Sequence, residues 1–346
     1  MIAGRAIGTD SPPFVIAELS GNHDGSLDRA LALIEAAAAA GAHAVKLQTY
    51  TADTMTLDLR EGEFVIDDPA SLWNGSSLYD LYDRAHTPWE WHGDLFARAR
   101  DLGLACFSSP FDDTAVDFLE SLDAPCYKVA SFENTDTPLL KKVASTGKPV
   151  IVSTGMATLE ELDETVETLR AAGCEELVLL KCTSSYPAPP EQSNLLTIPD
   201  LRRRYGCEVG LSDHTLGCAA AVAAVALGAS VLEKHVTLSR EGGGVDAAFS
   251  LEPAELARLT QDAEQAWRAL GGVSYGPTAA ERGAVRRRRS VYVTADLQAG
   301  DVLTRDNVRC IRPGLGLAPR HFDEVLGRRV VRAVRRGTPL SWDLLD

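Results

Sequence analysis

Two short stretches of this 346-residue chain could bring imidazoles together: "GLSDHT", Gly210 to Thr215, and "VLEKHV", Val231 to Val236. Each belongs to an apolar run that reads as a buried strand, so His214 and His235 end two consecutive strands. Neighbouring strands lie about 4.8 Å apart, and two imidazoles at matching heights can share one divalent metal. A single strand-end histidine is more often structural; a pair on adjacent strand ends points to a ligand set. Two protein ligands leave coordination positions open for water and substrate oxygens. That favours Mn2+ or Mg2+ acting as a Lewis acid over a closed zinc site. The period of two along a strand puts Ser212 on the face of His214 and Glu233 on the face of His235, and turns Asp213 away to brace the turn.

A second group is cationic. Lys46 and Lys128 sit inside otherwise apolar strands, where a lysine is costly unless it meets an anion. Ser109, Ser131, Ser153, Ser184 and Ser212 stand at strand ends with them, and short hydroxyl donors beside two ammonium groups suit a phosphate and a carboxylate. A Schiff-base role would call for one desolvated lysine; two lysines among many serines read as electrostatic capture. The other strand ends add Glu18, Gln48, Glu133 and Tyr186, so each of eight strands contributes a polar residue. His23, in "SGNHDG", is read as shaping the loop after strand 1.

The elements that must position these groups are short apolar runs: "FVIAEL", "AVKLQT", "LACFSSPF", "CYKVAS", "VIVST", "LVLLKCTSS", "EVGLSDHT" and "VLEKHV". They alternate with helical patterns, clearest in "SLDRALALIEAAAAAG", "TPWEWHGDLFARARDLG", "TLEELDETVETLRAAG" and "PAELARLTQDAEQAWRALGG". Ser, Thr or Pro opens each of these and Gly closes all four, the usual start and stop signals. Continuous apolar strands alternating with helices imply a parallel sheet covered on both faces. Eight repeats fit a closed (β/α)8 TIM barrel better than an open doubly wound sheet, and no dinucleotide or P-loop glycine motif follows any strand. In such a barrel the active site lies at the C-terminal strand ends. The connection Thr51 to His86 is long enough to be functional or lid-like. The expected division is a catalytic barrel over 1–272, a linker over 273–288 and a small, mostly β domain over 289–346.

Charge agrees with two modules. The chain carries a formal −15, whereas from Ala284 onward it has 13 Arg against 7 Asp and Glu. The overall negative balance argues against nucleic acid as a partner. The seven cysteines include no CxxC pair, which reads as reduced thiols of a cytoplasmic protein. No segment approaches the roughly 20 apolar residues needed to span a bilayer, and no membrane partner is expected.

The motifs "IAELSGNHDGSLDRALALIEAAAAAGAHAVKLQTY", "FSSPFD", "YKVASFE", "STGMA", "KCTSSYPAP", "GLSDHT" and "EKHVTLSREGGGVDAAFSL" resemble the sialic acid synthase family, most closely its pseudaminic acid synthase branch. The tail resembles that family's antifreeze-like (SAF) domain. The resemblance implies metal-dependent condensation of phosphoenolpyruvate with an N-acetylated aminosugar, with C–O cleavage and release of phosphate. It implies that His214 and His235 bind the metal and that Lys46, Ser109, Lys128, Ser131, Ser153, Ser184 and Ser212 hold phosphoenolpyruvate. Either Glu18 or Glu133 would serve as the general acid/base, and Gln48, Tyr186, Asp246 and Arg312 would contact the sugar. It further implies a homodimer in which the SAF domain completes the partner's active site through Arg312. Ser184 in "CTSSYP", where the family's N-acetylneuraminate synthases have asparagine, and the segment "SLWNGSSLYDLYDRAHTPWEWH" resemble the pseudaminic branch, and that resemblance implies 2,4-diacetamido-2,4,6-trideoxy-L-altrose as the sugar. The alternatives are the aminosugars of N-acetylneuraminate or legionaminate synthesis.

Overall fold

In a computed structural model describing residues 1–69 and 71–346, the eight apolar runs close into one parallel barrel in sequential order, β8 pairing back onto β1. The strands are β1 Phe14–Glu18, β2 Ala44–Thr49, β3 Ala105–Pro110, β4 Tyr127–Val129, β5 Val150–Ser153, β6 Leu177–Cys182, β7 Glu208–Asp213 and β8 Val231–His235. Alternation along each strand sorts its side chains. Phe14, Ile16, Phe107, Ile151, Leu180 and Val231 fill the barrel interior, while Val15, Leu47, Val129, Val152, Leu179 and Leu232 pack outward into the layer shared with the helices. Because both faces are buried, the runs look continuously apolar in sequence.

The helices begin where side chains can satisfy free backbone amides. Helix α1, Leu27–Ala39, is capped by Ser26, whose side chain accepts from Arg29 N. The connection after β2 carries two short helices, α2 Ala52–Met55 and α3 Leu78–Ala85, with Thr51 and Ser77 as their caps. Helix α4, His92–Asp101, starts later than the pattern from Thr87 predicts, after a 3-10 turn over Trp89–Trp91. The Thr87 hydroxyl is taken by His23 Nε2 at 3.2 Å, a partner distant in sequence, and does not cap the helix. There follow α5 Asp113–Ser121, α6 Thr137–Ala144, α7 Leu159–Ala171, α8 Thr197–Tyr205, α9 Ala219–Ala226 and α10 Pro253–Leu270. Helix α7 has the full capping box of Thr158 and Glu161.

Backbone contacts divide the chain into Met1–Gly271 and Gly272–Asp346. The second unit is built on the antiparallel pair β9 Ser290–Val293 and β10 Val308–Ile311, extended by isolated bridges, with a short helix α11 Phe322–Val325. Val291, Val293, Leu303, Val308, Val330 and Leu340 form its core. Among the described residues no helix is long and apolar enough to cross a membrane.

Candidate active site

The barrel register brings the chemistry to one level. Glu18 is paired with Lys46 on β2 and with His235 on β8. On β7 and β8, Ser212 stands opposite Glu233 and Asp213 opposite Lys234, so the next pair in register is His214 and His235. Their rings lie 5.2 Å apart, centroid to centroid.

The histidines differ in what holds them. His214 Nδ1 lies 3.0 Å from the Thr183 carbonyl, which fixes the ring and leaves Nε2 free for a ligand. His235 Nδ1 is buried without a hydrogen-bond partner, and the Asp246 carboxylate is 3.5 Å away. Burial first, then the charges of His214 and Lys46, holds the His235 pKa well below the usual value, so its lone pair is available at neutral pH. Among the described residues no group of three or more His, Cys, Asp or Glu is arranged to enclose a metal. Two imidazoles on adjacent strand ends, one of them with an orphaned buried nitrogen, nevertheless fit a cation that completes its coordination with water and substrate oxygens.

Around the rest of the mouth stand the cations and hydroxyls. Lys46 Nζ is 2.6 Å from Glu18 Oε2, 3.8 Å from Glu233 Oε1, and donates to Ser109 Oγ at 3.2 Å. Lys128, 1% exposed, donates to the Val129 carbonyl at 2.8 Å. Burial pulls its pKa down despite the attraction of Glu233. Ser131 Oγ accepts from the Gly155 amide at 3.1 Å, while Ser153 Oγ is buried with no partner. Ser184 Oγ lies 3.8 Å from Cys182 Sγ, and Ser212 Oγ donates to Glu233 Oε1 at 3.1 Å. A Cβ on Gly155 would collide with the hydroxyls of Ser184 and Ser131, the latter at 2.6 Å. The bare glycine keeps that concavity open.

Three carboxyls behave differently. Burial, reinforced by the neighbouring Glu233, raises Glu18 to about 7 against the pull of Lys46; Gln48 Nε2 also donates to it, at 2.9 Å. For Glu233 burial acts upward, but Lys128 and Lys46 outweigh it and keep the group ionised. Burial raises Glu133 to about 7, and its Oε2 has no partner. Glu18 is therefore engaged by Lys46 and Gln48, whereas Glu133 has an oxygen to spare.

The remaining side is aromatic. The Tyr186 ring lies 4.5 Å from His214 and 5.2 Å from Phe249, and Phe249 is 5.0 Å from His235. Asn22 pins the loop that carries Asp246: its Nδ2 donates to the Val236 carbonyl and to Ser250 Oγ, and its Oδ1 accepts from Asp246 N. Arg312 is exposed in the second unit, directly after β10.

Some of these groups were not singled out by sequence. Cys182 counted only as one of seven reduced thiols, yet it lies 3.8 Å from His214 Nδ1. Burial alone would raise its pKa, but His214 outweighs this and lowers it to about 7. The signal was available, since Cys182 shares a strand face with Leu180 in the interior. Phe249, Asn22 and Trp73 lie on loops, where no periodicity marks them. Ser108, beside Ser109, faces outward and bonds Thr49 Oγ1 at 2.6 Å.

Residues 33–275 match the NeuB family and residues 288–346 the SAF domain. The chain is 42% identical to the pseudaminic acid synthase of Campylobacter jejuni subsp. jejuni serotype O:23/36, covering 96% of each. It is also 42% identical to the pseudaminic acid synthase of Helicobacter pylori, covering 97% of this chain and 98% of the relative. Among solved structures, the N-acetylneuraminic acid synthetase of Leptospira borgpetersenii in complex with citrate superposes with a TM-score of 0.73 at 31% identity, over 82% of this chain and 94% of that one.

Proposed function

The chain belongs to the NeuB family, and on that premise we propose that it is a pseudaminic acid synthase. It would condense phosphoenolpyruvate with 2,4-diacetamido-2,4,6-trideoxy-L-altrose and release phosphate. The observation that carries this reading is the meeting, at one barrel mouth, of a two-lysine hydroxyl cradle with a pair of adjacent imidazoles. The near full-length similarity to enzymes of that activity supports it.

In this reading Lys46 and Lys128 neutralise the phosphate and carboxylate of phosphoenolpyruvate, and Ser109, Ser131, Ser153, Ser184 and Ser212 donate to their oxygens. That fixes C3 toward the sugar's aldehyde carbon, and positioning of this kind supplies much of the rate. A divalent cation, Mn2+ or Mg2+, held by His214 and His235 would supply Lewis-acid polarisation of the aldehyde oxygen. Bond formation from C3 leaves C2 electron-poor, and water adds there. Glu133, with a free oxygen and a pKa of about 7, is suited to take one proton from that water and pass it to phosphate as it leaves with its bridging oxygen, while the proton left on the C2 hydroxyl goes, as the ketone forms, to the oxygen of the former aldehyde. Glu18 orients Lys46 and Gln48. Asp246 and Tyr186 face the sugar, and Arg312 from the SAF domain of a second copy would reach its acetamido group in a homodimer. The positive tail against the acidic remainder of the chain supports such a pairing.

The test is phosphate release when the protein is mixed with phosphoenolpyruvate, Mn2+ and each of the trideoxy-altrose sugar, the legionaminate precursor and N-acetylmannosamine. The reading expects release with the first at the highest kcat/KM. Release only with N-acetylmannosamine would reassign the substrate, and near wild-type turnover in His214→Ala would remove the metal role.

A further inference from the structure

The aromatic side of the mouth extends one ring farther than the residues assigned above. Trp73, on the long connection between β2 and α4, lies 6.0 Å from the Tyr186 ring, centroid to centroid. Tyr186 in turn lies against His214 and Phe249. Trp73 is the outermost ring of a wall that begins at the histidine pair. Its one polar atom is occupied, because Nε1 donates to the Val245 carbonyl at 3.2 Å. The indole is partly exposed and has only apolar surface left to offer. Its backbone is anchored as well: Trp73 N donates to Ser71 Oγ at 3.2 Å, and Gly75 N and Ile66 O bond at 2.8 Å across the same loop. Lys46, Ser109, Lys128, Ser131 and Ser153 stand on or just after β2 to β5, so the mouth has an anion-binding side and an aromatic side, which meet where Ser184 lies beside Tyr186.

We infer that Trp73 is a specificity-determining residue whose indole face receives the apolar far end of the sugar, its C6 methyl and C4 acetamido methyl. The inference rests on the function proposed above. A sugar whose aldehyde carbon lies at the histidine pair extends its far carbons along this wall. A methyl group there is buried against the ring, while a hydroxyl would lose water and find no donor or acceptor on the indole. Discrimination by an apolar surface of this kind amounts to about 10–200-fold per methyl group.

The experiment compares kcat/KM for the trideoxy-altrose sugar and for N-acetylmannosamine in wild type, Trp73→Ala and Trp73→Phe, with KM for phosphoenolpyruvate measured alongside. The expected result is a wild-type preference for the trideoxy sugar that falls about tenfold or more in Trp73→Ala. Trp73→Phe should retain most of the preference, and KM for phosphoenolpyruvate should stay within about twofold. The Phe variant separates two explanations, since it keeps an apolar ring but loses the bond to Val245 O just as Ala does. Equal losses for both sugars in both variants would make Trp73 an anchor for the Asp246 loop and overturn the inference. An unchanged preference in Trp73→Ala would overturn it while leaving the proposed function standing. A wild type that prefers N-acetylmannosamine would overturn both.

Discussion

Two lysines, each 1% exposed, sit on the barrel wall facing opposite ways. Lys234 on β8 points outward, behind the histidine pair. Its Nζ bonds Asp213 Oδ2 at 2.8 Å and the Thr215 carbonyl, and Asp213 Oδ1 accepts from Thr215 N at 2.9 Å. Lys128 on β4 points inward and, among the described residues, has no ion pair; its one bond is to a backbone carbonyl. The Lys234 charge is matched within its own neighbourhood, whereas Lys128 is left short of a partner that a substrate anion can provide; Lys46, paired with Glu18 at 2.6 Å, stands between the two. At the mouth this shortage recurs in the orphaned Ser153 Oγ, Glu133 Oε2 and His235 Nδ1.

The contrast can be broken in either direction. Lys234→Met leaves Asp213 buried and unpaired, so the expected loss is about 3–5 kcal/mol of stability. Adding Asp213→Asn should recover most of it, and thermal unfolding of the single and double variants is the check. A single variant as stable as wild type would mean that the outer pair is not what holds β7 to β8. Lys128→Met should do the reverse. Its melting temperature should change little, since the relief of burying a poorly bonded ammonium is offset by the loss of its attraction for Glu233, while kcat/KM for phosphoenolpyruvate falls roughly 10^2–10^3-fold. Circular dichroism melts and steady-state phosphate release distinguish the two outcomes.

Why one lysine could be told from the other in sequence is a matter of period. Lys46 and Lys128 fall on the strand positions that alternate with outward apolar residues, as do His214 and His235, so most of the mouth was legible once eight strands were recognised. Lys234 is one residue from His235 and therefore on the opposite face. What could not be read has a different physical origin. Trp73 and Asn22 reach the site through loops, whose paths depend on tertiary partners such as the Val245 carbonyl and Ser250 Oγ. The late start of α4 depends on His23, which is distant in sequence and takes the Thr87 hydroxyl. Pairing strength was also hidden: nothing local says that Glu18 is held by Lys46 and Gln48 while Glu133 keeps a free oxygen.

The unmatched Glu133 carboxyl makes a smaller, pH-dependent prediction. Its pKa in the folded protein is about 7, against 4.5 for the free group, with burial as the main cause. An acid with a raised folded pKa keeps its proton in the native state while the unfolded chain has lost it. Its destabilising effect is therefore absent below pH 4.5, grows between pH 4.5 and 7, and is complete above 7. Glu133→Gln should match wild type in stability near pH 4 and exceed it near pH 8.5 by on the order of 2–3 kcal/mol. Urea unfolding at both pH values tests the sign. A gap that is largest at pH 4 would show that the carboxylate is paired after all.

The last comparison uses the smallest side-chain change, at two glycines whose lost space serves different ends. A Cβ on Gly210, in the wall of β7, would collide with the Val231 carbonyl and approach Leu180 Cδ2 to 2.7 Å. A Cβ on Gly155, at the end of β5, would meet the hydroxyls of Ser131 and Ser184 instead. Backbone cannot yield at Gly210 without disturbing the β7–β8 ladder, so Gly210→Ala should cost about 1–3 kcal/mol of stability and leave KM for phosphoenolpyruvate unchanged in the folded fraction. At Gly155 the neighbours are side chains that can rotate away, and rotating takes two donors out of the anion cradle. Gly155→Ala should therefore melt close to wild type, raise KM for phosphoenolpyruvate about tenfold, equivalent to about 1.4 kcal/mol, and leave KM for the sugar alone. If Gly155→Ala lost stability instead and kept its KM, the opening beside Ser131 and Ser184 would belong to the packing of the barrel and not to its substrate.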